Sequence, residues 1–578
     1  MMRADKINGA HIVLETLYRL GVRHMFGYPG GAVIPIYDEL YKYNEEDVKL
    51  HHYFVRHEQG AAHAADGYAR VSGKVGVCLA TSGPGATNLV TGIMTAYVDS
   101  IPLLAITGQV GRSLLGKDSF QEADTVGITM PITKNNYLVK DIMDLPRIIK
   151  SAYFIASTGR PGPVLIDIPK DIQLQTIPMD VYDKLYDEPI TVEGYDPTYK
   201  GHIGQIKKAA ALLKTAKKPL IIAGGGVLKA SAWQELRELA ERTQTPVANT
   251  LVGLGCFPED HPLALGMLGM HGTVAANYAT ESADVVIAAG IRFHDRITGD
   301  PNHFCPHAKI IHIDIDPAEI DKNVKIHVPI VGDLKHVLTE LNTCIEDATH
   351  EEWWDQIHEW QETYPMVVPP HDESVLYPQE VLSEVDRIVN GEAIIVTDVG
   401  QHQMWAAQFL TFKHPHTMVT SGGAGTMGYG VPAAMGAAIA APDRTVVLVV
   451  GDGGFQMTFE ELMMMKQYHL NVKILILNNQ YLGMVRQWQE LFNQRRYSFV
   501  DLHVSPDFVK LAEAFDLPAM RISTRKELDA HLRDILTSDT GIVIDCRVAE
   551  EVNVFPMIPA GARVSNMVGK KGVSLHDE

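Results

Sequence analysis

Residues 444–457 read RTVVLVVGDGGFQM. An uninterrupted apolar run ends abruptly in Gly451-Asp452-Gly453-Gly454. Continuous apolar runs of this length mark strands buried on both faces of a parallel sheet. A solvated turn would explain one carboxylate among glycines; partners elsewhere in the chain decide. The next apolar run, VKILILNN (472–479), ends in Asn478 and Asn479. Asp452 and Asn479 lie 27 residues apart, with the helix-like segment TFEELMMMKQYHL between them. That is one strand–helix–strand crossover, which places both residues at the C-terminal ends of parallel strands, where α/β sheets bind ligands. A carboxylate oxygen and an amide oxygen, completed by phosphate oxygens and water, suit a hard octahedral magnesium ion. The glycines let backbone approach a diphosphate closely.

Working outward, 578 residues exceed what one hydrophobic core sustains, so several domains are expected. Short apolar runs alternate with helix-length segments in three blocks, which predicts an α/β protein with three doubly wound parallel-sheet domains in series. The expected boundaries are a first domain at 1–175, a linker at 176–200, a central domain at 201–345, a second linker at 346–376, a third domain at 377–547 and a tail at 548–578. Segment 171–200 has little periodicity. Trp353, Trp354 and Trp360 in the second linker read as a short amphipathic helix pinned to a domain surface. Two similar turns, TSGPGAT (81–87) and TSGGAGT (420–426), each follow an apolar run, and such turns can offer backbone N–H groups to an anion.

The formal net charge of −20 disfavours a nucleic acid or an anionic membrane as partner. The five cysteines are scattered, with no CxxC pair, which fits a reduced cytoplasm and neither structural zinc nor a disulfide framework. The opening MMRADKINGAHIVLETLYRLGV reads as an amphipathic helix and not a signal peptide, and the longest small-apolar run, GYGVPAAMGAAIAAP, is too short and too broken to span a bilayer.

A GDG followed at this spacing by NN resembles the thiamine diphosphate motif, which implies a glutamate partner for the aminopyrimidine ring. Glu58, in VRHEQGAAHAADGYAR, opens an Ala-rich helix and is the candidate. Further stretches, among them FGYPGGAVIPIYD, DSFQEADTVGIT, GRPGPVLIDIPKD, MLGMHG, DVGQHQMWAAQF, GTMGYGVPAAMGA, LNNQYLGMVRQWQ and FPMIPAG, extend the likeness over nearly the whole chain. The sequence resembles the catalytic large subunits of the acetohydroxyacid synthase (acetolactate synthase) family.

The resemblance implies site roles. Asp452, Asn479 and the backbone carbonyl of Tyr481 would hold Mg2+. Val399, Gly400, Gln401, His402, Gly425, Met427, Gly453 and Gly454 would line thiamine diphosphate, with Met427 under its rings. Glu58, Gly31 and Gln121 would surround the reacting centre, and Lys170 and Arg296 would stand at its entrance. Met484 and Trp488 would shape the acceptor pocket. FAD, in a non-redox role, would take Arg160, Gly224, Gly225, Gly226, Thr250, Leu251, His271, Gly290, Arg292, Asp314 and Asp333. His294 departs from the family pattern, which often has Asp there, and so alters the local charge beside the flavin.

The implied activity is decarboxylation of pyruvate and condensation with a second 2-ketoacid, pyruvate or 2-ketobutyrate. The product is 2-acetolactate or 2-aceto-2-hydroxybutyrate, in branched-chain amino acid biosynthesis. The family also implies a homodimer or dimer of dimers with active sites between subunits, and a small regulatory subunit. A flavin-linked pyruvate oxidase, or another thiamine-dependent carboligase or decarboxylase, is the competing reading. A nucleotide-binding protein with dead thiamine sites is disfavoured by intact Glu58, Asp452 and Asn479.

Overall fold

The computed structural model describes residues 6–369 and 375–571; the first five residues of the expected opening helix, 370–374 of the second linker and the last seven of the tail lie outside them. The chain forms two compact units. One holds the chain up to Asp196 with Ser421–Asp443 and Met457–Val472. The other holds Pro197–Thr420, Arg444–Gln456 and the chain from Lys473 onward.

The alternation of apolar runs and helices produces three six-stranded sheets. Every strand pair resolved within them is parallel. In the first unit the sheet runs His51–Phe54, His24–Gly27, Gly76–Ala80, Leu103–Gln109, Pro163–Pro169, Asn135–Leu138. Numbered along the chain, its strand order is 2-1-3-4-6-5. The sheet of Ile394–Thr397, Met418–Val419, Val446–Gly451, Val472–Asn478, Ala519–Ile522 and Ile542–Arg547 repeats that order. The central sheet, built from residues 219–331, runs 3-2-1-4-5-6. That is the dinucleotide-binding order, whose crevice opens where the order reverses, beyond strands one and four. The central strands of all three sheets are buried end to end, as their unbroken apolar sequence requires.

Within the first unit, helix Glu58–Ser72 packs on helix Gly430–Ala440 at backbone contact distance. A Cβ at Gly67 would lie 2.2 Å from Ala433 O, and one at Gly436 would lie 1.9 Å from Ala64 O. Only glycine permits that approach. The apolar run containing Gly436 is therefore a buried helix, and no helix among the described residues is long and apolar enough to cross a membrane. All five cysteines are free thiols, four of them buried.

Two local expectations are revised. Lys6–Asn8, inside the expected opening helix, is a strand paired antiparallel with Thr176–Pro178, and the helix begins at Gly9 with Asn8 as its cap. Segment 171–200, without evident periodicity, contains helix Met179–Asp187. Its Tyr182 is fully buried, with its hydroxyl 3.2 Å from Thr16 Oγ1 and its ring 4.9 Å from the Arg19 guanidinium. Met179, Val181, Leu185 and Tyr186 pack against the same core beside Tyr182, a helical stripe only nine residues long. The tryptophan reading holds: Glu351–Thr363 is a helix, with Trp353 buried and donating to Pro219 O at 3.0 Å.

Candidate active site

In the second unit, Asp452 and Asn479 follow neighbouring strands of the same sheet. Asp452 is 1% exposed. Its Oδ1 accepts from Gly453 N at 3.1 Å, while its Oδ2 is buried without a hydrogen-bond partner. Burial pushes its carboxyl up to about 7 against the pull of backbone N–H groups of Gly453, Asp452 and Gln480 and of Arg547. A buried, half-satisfied carboxylate is costly unless something positive completes it. Among the described residues no cluster of three or more His, Cys, Asp or Glu side chains could hold a metal. One carboxylate oxygen with amide and carbonyl oxygens is the donor set of Mg2+ and not of a transition metal. The residues fit such an ion. Asn479 Oδ1 accepts from Tyr481 N at 3.2 Å, and its Nδ2 donates to Gln401 Oε1 at 3.4 Å.

The same sheet reverses between Ile394–Thr397 and Val446–Gly451, so residues 398–402 and 451–454 share one edge. The His402 ring is wedged between Gly400 and Gly451, where a Cβ on either would lie 2.9 Å from it. A Cβ at Gly454 would lie 2.3 Å from Asp398 Oδ1. Burial pushes His402 down to about 3, so its ring is neutral, and Nε2 has no partner. Two buried and unspent polar atoms, His402 Nε2 and Asp452 Oδ2, thus lie beside glycines at this sheet edge, a set that suits a diphosphate and its cation. Helix Gly483–Phe492 carries Met484 and Trp488, and the Arg296 guanidinium sits 5.8 Å from the Trp488 ring centre.

At the switch point of the central sheet, a Cβ at Gly224 would lie 2.3 Å from Gly290 O, and one at Gly226 would lie 2.6 Å from Gly290 Cα. These glycines are first explained by backbone packing. Thr250 is buried with an unpartnered Oγ1, which leaves one hydroxyl for a ligand beside that edge. His271, pushed down to about 4 by burial, has Nδ1 3.3 Å from Pro556 O. Leu251 and Arg292 are half-buried. Asp314 accepts from Asp316 N, and Asp333 caps helix Leu334–Cys344. His294 caps Asp295–Thr298 through Nδ1, so the departing residue has a local duty.

In the first unit, Glu58 is the first residue of helix Glu58–Ser72 and is buried. Its Oε2 accepts from Asn88 Nδ2 at 2.9 Å. A Cβ at Gly85 would lie 3.2 Å from its Oε1, and a Cβ at Gly83 would lie 2.8 Å from Gln121 O. The TSGPGAT turn therefore brings Glu58 and Gln121 to one loop. Gln121 holds φ +57°, a strained conformation for a side chain of that size. A Cβ at Gly31 would meet nothing within 4 Å, so internal packing does not demand glycine there. Lys170 is exposed, and Arg160 donates to Ser100 Oγ at 2.9 Å. The TSGGAGT turn departs from its expected part: N–H groups of Gly422 and Gly423 are taken by the Asp99 carboxylate at 2.9 Å each. It also follows the edge strand Met418–Val419, whereas TSGPGAT follows the third strand of its sheet. Gly425 lies in the same turn at φ +63°, and Met427 just after it is half-buried.

The sequence reading passed over Glu461. Its buried carboxylate accepts from Arg56 N and His57 N at 3.0 Å each, immediately before Glu58. Only glycine fits at position 60, where a Cβ would lie 2.1 Å from Glu461 Oε1. Burial pushes this carboxyl up to about 8. A raised folded-state pKa means this carboxyl's stabilising contribution is fully present below the unfolded value near 4.5 and is lost as pH rises through about 8. Glu461 is thus expected to withdraw on the order of a few kcal/mol as pH rises. In Glu461→Gln the fall in melting temperature between pH 6 and 9 should be shallower than in the parent. Parallel melting curves would show that this carboxyl does not titrate there.

Three family models match the chain: the thiamine pyrophosphate enzyme N-terminal TPP binding domain over residues 7–128, the central domain over 206–341, and the C-terminal TPP binding domain over 398–546. The acetolactate synthase large subunit of Cyanidium caldarium is 47% identical over 97% of this chain and 96% of that protein. The probable acetolactate synthase large subunit of Methanocaldococcus jannaschii is 49% identical over 97% and 95%, and the acetolactate synthase of Arthrospira platensis is 48% identical over 98% of both.

Proposed function

Because this chain belongs to the thiamine pyrophosphate enzymes, within the acetolactate synthase large subunits, we propose that it decarboxylates pyruvate and joins the two-carbon unit to a second 2-ketoacid. The products are 2-acetolactate or, with 2-ketobutyrate, 2-aceto-2-hydroxybutyrate, the entry to branched-chain amino acids. The observation that carries the site reading is Asp452 Oδ2, buried and unspent at the switch point of the third sheet.

Thiamine diphosphate supplies the carbanion-stabilising chemistry. Asp452, Asn479 and the Tyr481 carbonyl would hold Mg2+, and residues 399–402 with Gly453 and Gly454 would seat the diphosphate. Glu58 would hold and return the proton at the pyrimidine ring from a carboxylate already oriented by Asn88. Trp488 and Met484 would bound the acceptor ketoacid, and Arg296 and Lys170 would attract its carboxylate. FAD would lie along the central sheet's crevice, supported by its strand order and by Thr250 Oγ1. A homo-oligomer with a small regulatory subunit follows from the large-subunit family, and the free thiols favour the cytoplasm.

The test is product analysis from pyruvate with and without 2-ketobutyrate, omitting thiamine diphosphate, Mg2+ and FAD in turn. Acetolactate is expected to need the first two, and FAD to stay oxidised under anaerobic turnover. Flavin bleached in proportion to pyruvate consumed, with no acetolactate, would instead establish a pyruvate oxidase.

A further inference from the structure

Three buried side-chain amides form a chain that ends at the proposed metal ligand Asn479. The polarity of that chain starts at the backbone of Val554, which is itself fully buried. Val554 N donates to Gln487 Oε1 at 2.8 Å, and Val554 O accepts from Gln487 Nε2 at 3.1 Å. A backbone N–H can only donate and a carbonyl can only accept, so this pair dictates which end of the Gln487 amide is oxygen. That oxygen also accepts from Gln401 Nε2 at 2.9 Å, and the same Gln401 Nε2 donates to Val552 O at 2.9 Å. Two acceptors on one side fix the Gln401 amide as well. Its Oε1 is left to accept from Asn479 Nδ2 at 3.4 Å. With its nitrogen on Gln401 and its oxygen already accepting from Tyr481 N at 3.2 Å, Asn479 turns the second lone pair of that oxygen outward. Helix Gly483–Phe492 starts with glycine for the same reason: a Cβ on Gly483 would lie 2.0 Å from Gln401 Oε1 and 2.8 Å from Asn479 Nδ2. Gln401, Gln487 and Asn479 are 5%, 0% and 6% exposed, so water does not compete for these bonds.

We propose that Gln487 is a positioning residue, which through Gln401 sets the orientation of the Asn479 amide and so couples metal affinity to the seating of segment 552–554. The inference rests on Asn479 being a metal ligand. Without the Gln401 acceptor only the 3.2 Å bond from Tyr481 N opposes a flip of Asn479, and the flipped amide presents its NH2 group to a cation and repels it. Sequence position hides this role, because Gln487 sits beside Trp488 on a helix and its partners lie 86 and 67 residues away.

The experiment is calorimetric titration of MgCl2 into the full chain saturated with thiamine diphosphate. It compares the parent with Gln487→Met, Gln401→Met and the double variant, each checked for an unchanged circular dichroism spectrum. Each single variant is expected to weaken Mg2+ binding about 10-fold, the scale of lost support behind a metal ligand. The double variant should be no weaker than the worse single, since both changes act on Asn479 through the one Gln401 Oε1 contact. Mg2+ affinity within twofold of the parent in Gln487→Met, or multiplicative losses in the double variant, would overturn the relay. Asn479→Leu separates the two levels. If it leaves Mg2+ affinity intact, the metal reading fails; if it weakens binding while Gln487→Met does not, the relay alone fails. Should the methionine variants not fold, hydrogen exchange on the parent decides. Addition of MgCl2 with thiamine diphosphate should slow exchange of Val554 N–H, and unchanged exchange would overturn the coupling.

Discussion

Glu58→Gln is expected to lower pyruvate-dependent acetolactate formation by ~10²–10⁴, the usual worth of a positioned acid–base group, while the affinity for thiamine diphosphate changes little. The geometry separates the two effects. Asn88 Nδ2 donates to Glu58 Oε2 at 2.9 Å, and the carbonyl oxygen of a glutamine can take that bond. Its NH2 then occupies the place of Oε1, beside Gly85, without a change of shape. Helix Glu58–Ser72 also loses no anchoring, because its entry is held by Glu461 accepting from the N–H groups of residues 56 and 57. What disappears is an oxygen that can hold a proton. Steady-state assay of acetolactate beside calorimetry of cofactor binding checks both parts. Undiminished turnover would remove Glu58 from the mechanism. An equally large loss of affinity would make it a binding residue.

The parts of the site legible in the sequence are those whose logic is local. The apolar run before Gly451 and the run before Asn478 announce buried strands, and their spacing announces one crossover; Asp452 and Asn479 duly stand at the ends of adjacent strands. Glu58 is legible only because a motif elsewhere predicts a carboxylate partner. Strand order is not legible, since each sheet reverses direction through contacts between runs far apart in the chain. Glu461 reads as one more acid in a helix, and its partners Arg56 and His57 lie 405 and 404 residues away. The Gly422 and Gly423 N–H groups look ready for a ligand until Asp99, 323 and 324 residues distant, is seen to take them. The helix Met179–Asp187 is likewise passed over, because its apolar stripe of Met179, Tyr182, Leu185 and Tyr186 spans only about two turns among polar residues.

Asp452→Ala should act on binding and not on chemistry. Removing the carboxylate takes away one charge-assisted contact, so affinity for thiamine diphosphate with Mg2+ should fall roughly 10–100-fold. Excess of both should restore much of the turnover. The unloaded protein should respond in the opposite sense. Its Asp452 is buried with Oδ2 unpartnered, and burial pushes the carboxyl up to about 7. A carboxyl raised in the folded state stabilises most below its unfolded pKa, and that contribution is lost as pH rises through about 7. At pH 8 the parent therefore carries an unfavourable buried charge that alanine lacks. The unloaded variant should melt no lower than the parent there, while the rise in melting temperature on adding MgCl2 and thiamine diphosphate should shrink, because ligand binding stabilises only in proportion to affinity. This opposite pair of shifts distinguishes a residue kept strained for its ligand from one that merely packs: a packing residue would lower the unloaded melting temperature and leave the ligand-induced rise intact. Lost turnover at unchanged cofactor affinity would instead place Asp452 among the reacting groups.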